Sequence, residues 1–108
     1  MPKFSQNKTI IFLGIISAVI FLPKISLAAN WYVDNAATGA NNGASWTNAW
    51  QSFAAIGWSS IQAGDILYIS GGSIFKTYTE QLTIGANGTL GNPIIIRVGQ
   101  DAGHNGQV

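Results

Sequence analysis

The sequence predicts an all-β fold of solenoid type, with short strands stacked coil on coil behind a capping helix. Three observations predict it. Compact apolar runs, Ile66–Ile69, Leu82–Ile84 and Ile94–Val98, are separated by Gly- and Asn-bearing turns. An aromatic segment with helical spacing precedes them, as a cap that closes an exposed solenoid end would. The run Leu67–Ile69 lies 27 residues before Ile94–Ile96, about one coil by the ~20–50 residue range of structural repeats. The intervals are too short for βαβ crossovers. A β-sandwich joined by hairpins remains the competing architecture.

The first 28 residues are a separate material. Lys3 and Lys8 give a basic start, Thr9–Leu22 reads TIIFLGIISAVIFL without a charge, and Ser26-Leu27-Ala28-Ala29 follows Pro23 and Lys24. A basic start, a short apolar run and a small-x-small site describe a secretory signal peptide. Cleavage is placed after Ala28, with Ser26 and Ala28 as the small pair; cleavage after Ala29 is the near alternative. A transmembrane anchor needs roughly 20 apolar residues, and Lys24 bounds this run short of that. The domain division is therefore 1–28 as leader and 29–108 as the exported segment. The expected location is secreted or extracellular, or else periplasmic or at the cell surface.

In the exported segment Trp31-Tyr32-Val33 reads as a short strand. Residues 35–45, NAATGANNGAS, read as a loop turning at Asn42-Gly43. Trp46, Ala49, Trp50, Phe53 and Ile56 follow i, i+3, i+4, i+7 spacing, so a helix is expected over Thr47–Ile56, with Thr47 or Asn48 as its cap and Gly57 as its stop. Ala63-Gly64-Asp65 is a turn into Ile66–Ile69, which Gly71-Gly72 ends. Within Ile94–Val98, Ile94, Ile96 and Val98 share one face, and Ile95 and Arg97 the other.

Composition excludes several functions. The chain is 47% hydrophobic and only 8% charged, which is not a disordered composition. A formal net charge of +1 is no nucleic-acid footprint. The leader takes Lys3, Lys8 and Lys24 with it, leaving Lys76 and Arg97 against Asp34, Asp65, Glu80 and Asp101. The absence of cysteine removes thiolate nucleophiles, disulfides and Cys-based metal sites.

No constellation for catalysis emerges. Paired carboxylates would serve glycoside hydrolysis, but none of the four acidic residues is close to another in sequence. Asp65 and Asp34 fit local bonding to backbone N–H groups, and Glu80 fits solvation. His104 reads as a loop residue, and its spacing from Asp101 is no metal signature. Gly85, Gly88 and Gly91 lack the helix and lysine of a phosphate cradle. Asn87-Gly88-Thr89 is a glycosylation sequon, meaningful in a secreting eukaryote. The Asn-rich loop 35–48 could offer carbonyls to Ca²⁺ but lacks the carboxylates such sites prefer. Trp46 and Trp50 could stack on sugars, although packing is the better fit to their spacing. The expected catalytic, cofactor and metal residues in this segment are none.

Taken in order, Trp31-Tyr32-Val33-Asp34, the Gly39–Ser45 loop, Ser45-Trp46-Thr47-Asn48-Ala49-Trp50, Ala63-Gly64-Asp65-Ile66-Leu67-Tyr68-Ile69 with Gly71-Gly72, Glu80–Ile84 and Gly88-Thr89-Leu90-Gly91-Asn92-Pro93-Ile94 resemble a known pattern. It is similar to the N-terminal cap and first coil of secreted right-handed parallel β-helix proteins of the pectate-lyase-like group, over residues 31–98. SIFKTYTEQ is longer than that group's tight turn after Gly-Gly. The resemblance implies a right-handed parallel β-helix of which 29–108 is a truncated start. It also implies a polysaccharide-acting lyase or hydrolase with its site on later coils. Ca²⁺ carboxylates and a Lys or Arg base would lie there; neither role falls on Lys76 or Arg97. The alternatives are a non-catalytic adhesin or structural β-helix, and a β-sandwich carbohydrate-binding module using Trp31, Trp46, Trp50 and Trp58. The expected partner is polysaccharide rather than nucleic acid. The membrane is expected to matter only during export.

Overall fold

Three aromatic or aliphatic runs become strands because each can bury every second side chain against the same core. The structure, a computed structural model, describes residues 27–108. Strands β1 (Asn30–Val33), β2 (Ile66–Ile69) and β3 (Ile95–Val98) form one open sheet in the order β1-β2-β3, parallel throughout. The register pairs Trp31 with Leu67 and Leu67 with Ile96, and likewise Val33 with Ile69 and Ile69 with Val98. These six side chains share the inner face. Val33, Leu67 and Ile69 are buried there with Trp50, Ile56 and Ile61, flanked by Trp31, Phe53, Trp58, Leu82, Ile94 and Ile96. The other face carries Tyr32, Tyr68 and Arg97 in register.

The expected right-handed parallel β-helix is not what these residues form. A solenoid coil needs further sheets to close around its core, and here a single three-stranded sheet is joined by turns and coil. Leu82–Ile84, expected as a strand, is irregular. Its Leu82 still packs on the core, so burial is achieved without a ladder. The sandwich is excluded for the same reason: there is one sheet among the described residues, and its strands are parallel rather than hairpin-linked. β3 leaves the sheet edge open, with Ile95 42% exposed.

The helix expected over Thr47–Ile56 is also absent; the segment is a chain of turns, followed by one 3₁₀ turn at Trp58–Ser60. The reason lies in where its backbone bonds go. Trp50 N–H donates to Tyr32 O at 2.9 Å, and Asp34 N–H donates to Trp50 O at 2.9 Å, which fixes Trp50 beside Val33 as a parallel bridge. Asn48 O accepts from Asn42 and Gly43, Thr47 O accepts from Gly39, and Asn41 Oδ1 accepts from Gln51 N–H. Ser45 Oγ accepts from Asn48 N–H. Short polar side chains and the Asn-rich loop thus compete successfully with i→i+4 bonding. The apolar stripe is still satisfied: Ala49, Trp50 and Ile56 are buried and Phe53 packs against the core.

Gly43 makes this arrangement possible. Its φ is 75°, and a Cβ there would sit 2.7 Å from the Trp50 ring. The Asn42-Gly43 turn therefore exists to let backbone pass over indole. The leader expected over 1–28 lies, but for Leu27 and Ala28, outside the described residues.

Candidate functional site

The outer sheet face concentrates aromatic surface next to polar groups. Tyr32 and Tyr68, neighbours in register, stack with ring centroids 5.8 Å apart at 22°. Trp46 meets Tyr32 edge-on at 4.7 Å. His104 stacks flat on Trp46 at 3.9 Å and 2°. Asp101 Oδ2 accepts from Trp46 Nε1–H at 2.7 Å, so carboxylate and imidazole together hold the indole. Beside this row, Asn30, Tyr32, Tyr68, Gln100 and Asp101 line a cleft of about 130 Å³. Arg97 stands next to Tyr68 on β3 and is exposed. Alternation along the strands explains why the row exists: burying Trp31, Val33, Leu67 and Ile69 turns Tyr32 and Tyr68 outward.

A second cluster joins three loops. Asp34 accepts from Lys76 Nζ at 2.7 Å and from Ala36 N–H at 2.9 Å. Its Oδ2 lies 3.5 Å from His104 Nδ1, and Ser70 Oγ lies 2.9 Å from the same nitrogen. A Ser-His-Asp relay requires serine and aspartate on opposite ring nitrogens. Here both face Nδ1, and Ser70 is fully buried, so the cluster ties segments together rather than forming a nucleophile. Tyr78 O–H donates to Ser70 O at 2.9 Å. Burial, and then the negative charge of Asp34, push the Tyr78 phenol up to about 12.

The remaining acidic residues are committed locally. Asp65, 3% exposed, accepts from Ala29 N–H (2.8 Å), Trp31 Nε1–H (2.9 Å) and Gln62 N–H (2.9 Å). Burial acts to raise its pKa, but these three donors prevail and hold it below the usual aspartate value. Glu80 accepts from the Phe53 N–H. The carboxylates thus have separate partners, and none is paired with another across a cleft. Among the described residues no three His, Asp or Glu side chains converge as metal ligands. In the loop 35–48, the amide oxygens of Asn41, Asn42 and Asn48 accept backbone N–H groups of Gln51, Ala44 and Ala40.

The expected local bonding of Asp34 and Asp65 to N–H groups is found, and Trp50 takes the packing role, stacked on Trp31 at 5.4 Å. Trp58 is half-buried against the core. Two features escaped the sequence. His104 and Asp101 both engage Trp46, which they follow by more than fifty residues, and Tyr32 and Tyr68 form a pair. Only the strand alternation pointed to the tyrosines; no local signal pointed to the Trp46 clamp. Gly88 and Asn87 lie on the wall of another open cleft, of about 360 Å³, with Ile84, Leu90, Pro93 and Ile96. In comparison with known proteins, the chain matches no family model, no curated sequence and no solved structure.

Proposed function

We propose that this is an exported protein that contacts polysaccharide through the outer face of its sheet. The observation that carries the reading is the row Tyr68–Tyr32–Trp46–His104 beside a cleft edged by amide and carboxylate groups. Sugar rings present apolar C–H faces ringed by hydroxyls. Aromatic platforms cover the first, and Asn30, Gln100 and Asp101 answer the second. The cleft, of about 130 Å³, falls below the ~300–1,000 Å³ of pockets that enclose a small molecule, which favours a polymer laid across the face. The scarcity of charge favours neutral sugars. Export is supported by the charge-free run Thr9–Leu22 ahead of Ser26-Leu27-Ala28.

The test is titration with a panel of neutral oligosaccharides, followed by calorimetry and tyrosine/tryptophan fluorescence. Saturable binding is expected, weakened at least about tenfold by Tyr68→Ala if one stacking platform contributes ~1.4 kcal/mol. Trp58→Phe, remote from the face, should leave affinity unchanged. Absence of binding across the panel, or equal loss in both variants, refutes the reading.

A further inference from the structure

We infer that removal of the leader between Ala28 and Ala29 creates an ion pair between the new α-ammonium of Ala29 and the buried carboxylate of Asp65. The inference rests on the export reading above. The Ala29 nitrogen already lies 2.8 Å from Asp65 Oδ1. Asp65 is 3% exposed, and the groups around it are a strand start, the 62–64 turn and Asn92 beside Gly64, none of which brings a cation. Among the described residues the ion pairs fall on Asp34, and no Lys, Arg or His reaches Asp65. Three neutral N–H donors already hold this carboxylate ionised, so a cation at one of the three positions would strengthen a bond that is already formed.

Hydrolysis of the Ala28–Ala29 bond by a leader peptidase adds water across it. A carboxylate remains on Ala28, and an ammonium on Ala29. The neutral amide that donated to Asp65 becomes a cation at the same position, which makes the bond charge-assisted on both sides. The geometry also distinguishes the two cleavage sites. Ile66 N–H donates to Ala29 O at 3.0 Å, so Ala29 is held at both its nitrogen and its carbonyl. A cut after Ala29 would remove both partners and leave Asp65 and Ile66 each short of one bond. The fold thus registers where its leader was cut.

The sign of the pH dependence follows. An unperturbed α-amino group titrates near 7.7–8.0, and the adjacent carboxylate raises that value in the folded chain. The contribution is fully present below the unfolded value and is lost as pH rises through the folded one. Asp65 itself is already ionised there, being held low by its donors.

The experiment starts from the full chain, exported and recovered. N-terminal sequencing should give Ala29 first. The recovered chain is then compared with the same chain after selective Nα-acetylation, by urea unfolding from pH ~7 to ~10. The folding constant of the free form should fall roughly tenfold or more across that window, and that of the acetylated form should not. Trp31 donates to the same carboxylate, so its near-UV signal should titrate with the amine in the free form only. Asp65→Asn should abolish the difference; because that variant risks misfolding, acetylation carries the decision. A chain left uncut overturns both the export reading and the ion pair. A chain cut before Ala29 whose stability and Trp31 signal ignore acetylation overturns the ion pair alone. So does a product that starts at Asn30 and folds as stably.

Discussion

The facing of the sheet can be tested by a pair of substitutions, Leu67→Ala and Ile95→Ala. Leu67 is fully buried in the central strand, flanked in register by Trp31 and Ile96. Truncation there loses transfer free energy and leaves a cavity, about 2–5 kcal/mol for a leucine. Ile95 points to the opposite face of the neighbouring strand and is 42% exposed, so its truncation removes only part of a buried side chain, about 1 kcal/mol. A domain this small is stable by something on the order of 5 kcal/mol. Leu67→Ala should therefore keep about 3 kcal/mol of stability or less, whereas Ile95→Ala should keep about 4 kcal/mol. Urea unfolding followed by tryptophan fluorescence reads both; with a slope of about 1 kcal/mol per molar, the Leu67→Ala midpoint should drop by ~2 M or more, and that of Ile95→Ala by ~1 M at most. A slip of one residue in register would exchange the two faces. Equal shifts, or a larger one for Ile95→Ala, would refute the assignment of inner and outer sides.

Two further outcomes follow from the loops. Gly43→Ala places a methyl against the Trp50 ring at a φ of 75°, so it should cost about 2 kcal/mol or more and perturb Trp50 emission, while Gly103→Ala, with a φ of 84° but open space around it, should cost only the backbone term of about 1 kcal/mol. Tyr78 is held protonated up to about 12, so the stability it lends is intact below pH ~10 and disappears as pH rises from there through about 12; Tyr78→Phe should flatten that alkaline limb in a urea midpoint-versus-pH plot.

The strands were legible because each answers to a local rule. Trp31–Val33, Ile66–Ile69 and Ile95–Val98 alternate between one buried and one outward face, and alternation is written in consecutive residues. The architecture was not legible, because strand spacing says nothing about whether the intervening chain forms further sheets. Leu82–Ile84 has strand-like composition, yet Leu82 reaches the core from an irregular segment that joins no ladder. The helix expected over Thr47–Ile56 fails to form for a related reason. Its apolar spacing reports correctly that Trp50, Phe53 and Ile56 face inward, but that requirement is met equally well by turns once Tyr32 and the 39–43 loop claim the backbone. At the outer face, Tyr32 and Tyr68 were recoverable from the pleat, while the clamp on Trp46 depends on where the last loop returns.

Without cysteine, a chain rich in turns needs another way to fix segments far apart in sequence, and the four acidic residues supply it. Asp65 joins the start of β1 to the turn before β2 across 36 residues. Asp34 reaches Lys76 across 42, Glu80 reaches Phe53 across 27, and Asp101 reaches Trp46 across 55. Each closes a long loop, and the entropy cost of closure grows only slowly with loop length, so one charge-assisted bond is as useful across 55 residues as across 27. The same economy explains why so few charges suffice and why none is free to pair with another carboxylate. It also sets the direction of the acid response. Asp65, held below its ordinary value, lends stability that is present above the unfolded aspartate pKa and is lost as pH falls through the folded one. Acid should therefore release the β1 start from the 62–65 turn, uncovering Trp31 while the Trp50-centred packing remains. A chain whose near-UV tryptophan signals were lost together at a single acid midpoint would show instead that these tethers act as one cooperative unit.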